Sequence, residues 1–194
     1  MNGKLIIFSA PSGTGKTTIV KHLMQSDLGL EFSISATSRQ KRNNEQDGKD
    51  YYFFTPEMFK EKIKNNEFLE WEEVYPNQFY GTLFSELDRI YSNNHHALFD
   101  VDVFGGLRIK EKYPDDSLAI FLIPPSLEVL RERLLLRGTE TEDSLKKRED
   151  KASIELLHQD KFDAIIVNDN LQTAQNEAYR IVNDFLLLKS KQTF

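Results

Sequence analysis

An α/β domain built round a mainly parallel sheet is the fold class this sequence predicts, and three observations carry it. Residues 5–8, 97–103, 118–123 and 164–167 are short, largely apolar runs, the pattern of strands buried on both faces. Segments of helical periodicity lie between and after them. In 171–188, Ala174, Ala178, Ile181, Val182 and Phe185 recur at helical spacing and mark a face that should lie against the sheet. The third observation is the passage from the first apolar run into Gly13, Gly15, Lys16 and Thr17 and then into a helix, the strand–turn–helix unit of such sheets.

Taken in order, 5–8 reads as the first strand and 16–26 as a helix with Ile19, Val20, Leu23 and Met24 on its apolar side. Residues 32–38 (FSISATS) alternate apolar and polar, which predicts one strand leading into the polar stretch RQKRNNEQDGKD. Apolar residues return at 51–54. Thr55 followed by Pro56 is a helix start, a capping hydroxyl and then a residue with no N–H to leave unpaired in the first turn. Residues 68–74 (FLEWEEV) read as a strand, 76–81 as turn and loop, and 84–92 as a helix. Further helices are expected over 126–136 and 142–157. The region from about 32 to 84 interrupts the alternation of strand and helix with several short strands, and so reads as an inserted subdomain.

A length of 194 residues suits one domain with small subdomains and a full core. The chain has no cysteine, which excludes disulfides, cysteine–zinc sites and a thiol nucleophile, and fits a reducing compartment. A net charge of −6 argues against a nucleic-acid polymer as partner, although a small anion can still find a local basic cluster. No run is long and apolar enough to cross a bilayer, and the first one leads directly into the glycine-rich loop rather than a cleavage site. A cytoplasmic protein without a membrane partner is expected. Histidines 22, 95, 96 and 158 show no metal-ligand spacing.

The loop PSGTGKTT carries the sharpest chemistry. Its glycines let successive backbone N–H groups turn toward one anion, and the following helix aims its positive end at the same point. Lys16 is placed to reach β- and γ-phosphates and Thr17 to offer its hydroxyl to Mg²⁺, which predicts a nucleoside triphosphate as ligand. Asp100 and Asp102 close an apolar strand, where ligands of parallel sheets bind, and alternation puts both on one side. They suit a metal-binding role, and equally the capping of a turn. Arg39 and Arg42 in SRQKR fit a monophosphate clamp or a solvated basic loop. Arg133 and Arg137, and Arg148 beyond RGTETED, fit a helical hairpin closing over a triphosphate, or ordinary surface charge. Glu70 beside Trp71 offers two acceptors to the N1–H and amine of guanine, a pair that adenine lacks. The run of Glu70, Glu72 and Glu73 also fits the wet face of a strand.

Together these segments resemble the guanylate kinase family, from about Lys4 to Phe185. The markers are APSGTGKTT, SISATSRQKR, DGKDYYF, FLEWEEV, YGT, FDVDVFGG, PPS, RGTETED and IVNDN, in that order. The loop alone specifies only a superfamily; the ordered set specifies one family. The resemblance implies a P-loop kinase fold: a three-layer core with a mainly parallel sheet (about 1–31, 85–136 and 158–194). To it are added an inserted nucleoside-monophosphate-binding subdomain (about 32–84) and a helical lid (about 137–157). It implies transfer of the γ-phosphoryl group of MgATP to GMP, and to dGMP, giving ADP and GDP in purine nucleotide metabolism.

Carried to matching positions, the resemblance implies that Ser12, Gly13, Thr14, Gly15, Lys16, Thr17 and Thr18 hold ATP, with Arg137 from the lid and Asn168 and Asp169 near the adenine. Ser35, Glu70 and Thr82 look like the guanine readers, and Arg39, Arg42, Tyr51 and Tyr80 like the GMP phosphate clamp. Asp100 and Asp102 match an acidic strand end near GMP and the metal, and Thr17 and Asp100 are the implied metal ligands. Lys16, Arg39, Arg137 and Arg148 are the implied catalytic residues. Three positions depart from the family pattern: Ala10 for the loop's first glycine, SRQKR without the usual threonine and proline, and Phe104 for a common glutamine. None removes a residue given a chemical role. A kinase for another nucleoside monophosphate and a protein-interaction module of the same fold are the rival readings. Glu70 with Thr82 weighs against the first, and the intact loop with Lys16, Thr17, Arg39 and Arg148 against the second. A regulatory GTP-binding switch would need a guanine motif after an apolar strand that this chain lacks.

Overall fold

The computed structural model describes residues 3–136 and 142–188. Along the chain the first elements are β1 (Leu5–Ser9), α1 (Lys16–Met24), β2 (Leu30–Phe32), β3 (Ala36–Thr37), β4 (Tyr52–Phe53), α2 (Pro56–Lys64), β5 (Phe68–Tyr75) and β6 (Gln78–Leu83). They are followed by α3 (Phe84–Ser92), β7 (His96–Asp100), α4 (Val103–Lys112), β8 (Ser117–Ile123), α5 (Leu127–Leu135), α6 (Glu142–Leu156), β9 (Ala164–Val167) and α7 (Leu171–Leu187).

Five strands in the order β2-β7-β1-β8-β9 make a parallel sheet. Alternation along β1 explains its three layers. Ile6 and Phe8 point to one face and pack with Ile19 and Leu23 of α1 and Ala174, Ala178 and Val182 of α7. Leu5 and Ile7 point to the other and pack with Leu87 and Ile90 of α3 and Val103 and Ile109 of α4. A strand covered on both sides must be apolar at every position, which is why the run at 5–8 carries no polar alternation.

A second sheet of mixed direction, ordered β4-β3-β6-β5, holds its own small core of Ala36, Phe59, Phe68, Phe79 and Leu83. Phe59 stacks between Phe68 and Phe79, with centroids 4.3 and 5.4 Å away. Helix α2 begins as expected, with the Thr55 hydroxyl accepting from the Met58 N–H at 3.2 Å. Helices α5 and α6 pack as a hairpin through Leu130, Leu134, Leu145 and Ala152.

Four sequence expectations need correction. Residues 164–167 are not buried on both faces: β9 is an edge strand, and Ile165 and Val167 are exposed. Residues 32–38 are not one strand: Phe32 ends β2 in the parallel sheet, and Ala36 opens β3 in the mixed sheet. Burial does not follow the alternation: Ser33, Ala36, Thr37 and Ser38 are buried, while Phe32 and Ile34 are half-buried. Residues 76–81 are not loop throughout: the chain turns at Asn77, whose φ is 59°, and 78–81 pair with β5 as the start of β6. The strand placed over 97–103 stops at Asp100, and α4, which was not expected, starts at Val103. Asp102 is its N-cap, accepting from the Gly105 N–H at 2.7 Å.

Candidate active site

A cleft of about 600 Å³ separates the glycine-rich loop from the mixed sheet and the α5–α6 hairpin. Topology makes it. Helix α1 leaves the end of β1, β7 lies alongside with Phe8 opposite Asp100, and the chain crosses from one sheet to the other between Phe32 and Ala36. Ligands of parallel sheets bind at such carboxyl ends.

Ser12, Gly13, Thr14, Gly15, Lys16, Thr17 and Thr18 all line the cleft. Gly13 and Gly15 have φ of 99° and 90°, conformations that only glycine adopts readily. Gly15 caps α1, and no side chain occupies that cap, so the positive end of the helix opens on the cleft. Ala10 needs no special conformation: among the described residues only asparagines 66, 77 and 94 combine a side chain with positive φ. Asn168 lies buried beneath the loop and donates to the Thr14 carbonyl at 2.6 Å. Asp169 is exposed beyond β9 and is not among the lining residues. Lys16 Nζ binds the Asp100 carboxylate at 2.5 Å and donates to the Val101 carbonyl at 2.7 Å. Lys16, expected at the ATP phosphates, and Asp100, expected near GMP and the metal, are therefore paired to each other in the free protein.

On the opposite wall, Glu70 of β5 is only 7% exposed. Its Oε1 accepts from the Thr82 hydroxyl at 2.8 Å, and its Oε2 lies over Gly105 near the N-terminus of α4. Burial pushes its pKa up to about 7, with the Asp102 and Glu72 charges adding to that and the Thr82 bond and Arg108 opposing it. Ser35, Tyr51 and Tyr80 line the same end. Tyr51 meets Tyr80 edge-on at 6.2 Å, and burial raises its hydroxyl pKa.

Arg39 and Arg42 are not among the lining residues. The Arg39 guanidinium grips Glu45 with both ends of its fork and lies 4.9 Å from the centre of the Tyr51 ring. That pair raises the Arg39 pKa and holds Glu45 at about 2. Arg42 is exposed, its backbone N–H bound to the same carboxylate. Arg148 of α6 reaches back to the Ser12 hydroxyl at 2.8 Å. Arg137 lies outside the described residues. Arg133 donates to the Asn168 carbonyl at 2.9 Å, which makes it a brace of the loop. Phe104 packs edge-on against His158 with centroids 5.1 Å apart.

Sequence reasoning missed Lys147, Lys151 and Glu155, which line the cleft from α6 together with Arg148. Their spacing of four residues was a usable signal, since 147, 151 and 155 share one face of a helix. The cleft thus has a cationic end at the loop and α6, and an acidic end at Glu70, Glu72 and Asp102. It suits a polyanion at one end and a base with adjacent donors at the other.

Comparison with known proteins agrees with this geometry. The family model described as "Guanylate kinase" matches residues 2–186. The guanylate kinase of Bacteroides fragilis is 48% identical over 183 residues, covering 94% of this chain and 90% of that one. That of Porphyromonas gingivalis is 49% identical over 184 residues, covering 94% and 98%. The crystal structure of guanylate kinase from Anaplasma phagocytophilum superposes with a TM-score of 0.76 at 26% identity, over 99% of this chain and 90% of that one.

Proposed function

The chain belongs to the guanylate kinase family and converts ATP and GMP to ADP and GDP, and from that premise we propose how the residues of the cleft divide the work. The observation that carries the reading is that an open helix N-terminus with Lys16 faces a buried carboxylate with a hydroxyl partner across one cleft.

Residues 12–18 cradle the ATP phosphates through backbone N–H groups. Lys16 exchanges Asp100 for the β- and γ-phosphates, and Asn168 and Arg133 hold the loop in shape. Asp169 flanks the adenine. At the far end Glu70 accepts N1–H and the exocyclic amine of guanine, with Thr82 and Ser35 completing the reader. Tyr51, Tyr80, Arg39 and Arg42 hold the GMP phosphate, whose charge draws Arg39 from Glu45. Arg148 and Arg137 close over the transferring phosphoryl group and share its spread charge. Alignment of the GMP oxygen with the γ-phosphorus requires no covalent intermediate. Residues of about 32–84 act as the GMP-binding subdomain and about 137–157 as the lid.

Thr17 and Asp100 are hard oxygen donors at the phosphate end, and the described residues hold no set of three His, Cys, Asp or Glu suited to a metal. That donor set fits Mg²⁺ carried mainly by substrate phosphates and water, with Thr17 and Asp100 as its protein contacts. Thr17 and Asp100 would hold such an ion, which would supply positive charge against the phosphates. No helix among the described residues is long and apolar enough to cross a membrane, and the lack of cysteine fits the reducing cytoplasm in which we place the reaction.

Coupled ADP-release assays across GMP, dGMP, IMP, AMP, CMP, UMP and dTMP test the reading. GMP and dGMP should be accepted, AMP rejected, and IMP, which keeps N1–H without the amine, should fall between. Glu70→Ala should lower kcat/KM for GMP by ~10²-fold or more and leave the ATP KM nearly unchanged. A variant that keeps the parent's preference for GMP would make Glu70 an ordinary strand residue.

A further inference from the structure

Glu86 has no place in the cleft or in the roles above, yet it is a carboxylate only 1% exposed. It stands on α3, which Leu87 and Ile90 anchor in the main core. Its Oε1 accepts from the Tyr52 hydroxyl at 2.7 Å and Arg89 Nε at 3.0 Å. Its Oε2 accepts from the Ile34 N–H at 2.7 Å and Arg89 Nη2 at 2.8 Å. Arg89 also donates to the Phe32 carbonyl at 2.8 Å and to the Glu31 carboxylate, both on β2.

The placement of those partners is what matters. Ile34 lies in the link where the chain leaves the parallel sheet for the mixed one, directly before Ser35. Tyr52 opens β4 directly after Tyr51, and its N–H donates to the Ser35 carbonyl at 2.9 Å. One carboxylate fixed to the core therefore holds both segments that present Ser35 and Tyr51 to the cleft. Burial works against its charge, but bonds from Arg89, Ile34 and Tyr52 prevail and keep its pKa below the usual range. An apolar side chain could fill the same space; it could not hold an amide and a phenol in fixed positions.

We propose that Glu86, clamped by Arg89, is a positioning residue for GMP: it sets Ser35 and Tyr51 through Ile34 and Tyr52, without touching substrate. This rests on the reading of Ser35 and Tyr51 as GMP contacts.

The test is steady-state kinetics of Tyr52→Phe, Glu86→Gln and the double variant, with Ser35→Ala and Tyr51→Phe measured alongside. Tyr52→Phe removes one hydroxyl and little volume, so it keeps the proposal testable should Glu86→Gln fold poorly. The GMP KM should rise about fivefold to tenfold in Tyr52→Phe and about tenfold or more in Glu86→Gln, while the ATP KM stays within about twofold. The double variant should do no worse than Glu86→Gln, because both act through one arm. A GMP KM within about twofold of the parent in the folded variants overturns the proposal, as does a parallel rise for GMP and ATP. If those results accompany a raised GMP KM in Ser35→Ala and Tyr51→Phe, the substrate reading stands and only Glu86 falls. If Ser35→Ala and Tyr51→Phe leave GMP binding unchanged, the substrate reading fails and takes the proposal with it.

Discussion

At Glu70 the proposed base recognition and proton binding meet in one buried group. Its pKa of about 7 in the free protein lies above the unfolded value of 4.5. Between those limits the folded chain binds the extra proton, so the unfolding free energy falls as pH rises through the window, by at most about 3 kcal/mol. In the proposed role, Glu70 accepts both guanine donors only as the ionised carboxylate. GMP binding should therefore tighten from about pH 6 to pH 8 and release a proton. Calorimetry in buffers of different ionisation enthalpy measures that proton. Glu70→Gln supplies the reference, since the ionisation of the GMP phosphate is common to both proteins. Lys16 carries the second proposed role at this scale. Lys16→Ala should cost ~10²-fold or more in turnover, the scale of losing one preorganised charge-stabilising donor. The fold should survive, because Asp100, left without its partner, keeps contact with water at 21% side-chain exposure. Circular dichroism and rapid-quench turnover on one preparation check both halves, and near-normal turnover would remove Lys16 from the chemistry.

Among the elements, the loop between β1 and α1 depends on its glycines. At Gly15 a Cβ would face a φ of 90° and come within 2.5 Å of Asn168 Nδ2. Gly15→Ala should destabilise the free protein by about 1–3 kcal/mol and raise the ATP KM, because the new methyl group pushes away the side chain that holds Thr14. Thermal unfolding with and without ATP separates the two effects; an unchanged Tm would refute the strain. Helix α4 gives a different lesson. Apolar alternation through Val101 and Val103 hid the helix start, although Asp102 three residues before Gly105 already has the spacing of an N-cap and its N3 partner. The bond that caps the helix also keeps Asp102 near Glu70, so one acid serves local structure and the electrostatics of the cleft.

Across the whole molecule, the mixed sheet and the α5–α6 hairpin reach the loop from different sides, joined to the core by short links such as 33–35. Phosphoryl transfer competes with hydrolysis, so both parts should close over the substrates before reaction. Small-angle scattering should show compaction when a bisubstrate inhibitor bridging ATP and GMP binds. Superimposable profiles with the inhibitor demonstrably bound would exclude hinge closure.

Local chemistry was legible in the chain by itself. The glycine-rich loop, the existence of strands at 118–123 and 164–167, the Thr55–Pro56 helix start and Asp100 at the end of β7 are all signals carried by neighbours in sequence, and short-range sterics and hydrogen bonding suffice to set them. Tertiary structure alone decided which pieces meet. It split the alternating run 32–38 between two sheets, turned 78–81 into a paired strand, and joined Lys16 to Asp100 and Arg39 to Glu45. It also buried Glu70 with Thr82 rather than wetting it beside Glu73, and saturated Glu86 from Ile34, Tyr52 and Arg89. The reason is physical: an alternating run specifies which side chains share a face, but only the packing of the sheets determines which face is dry and which distant donors reach the charges buried there.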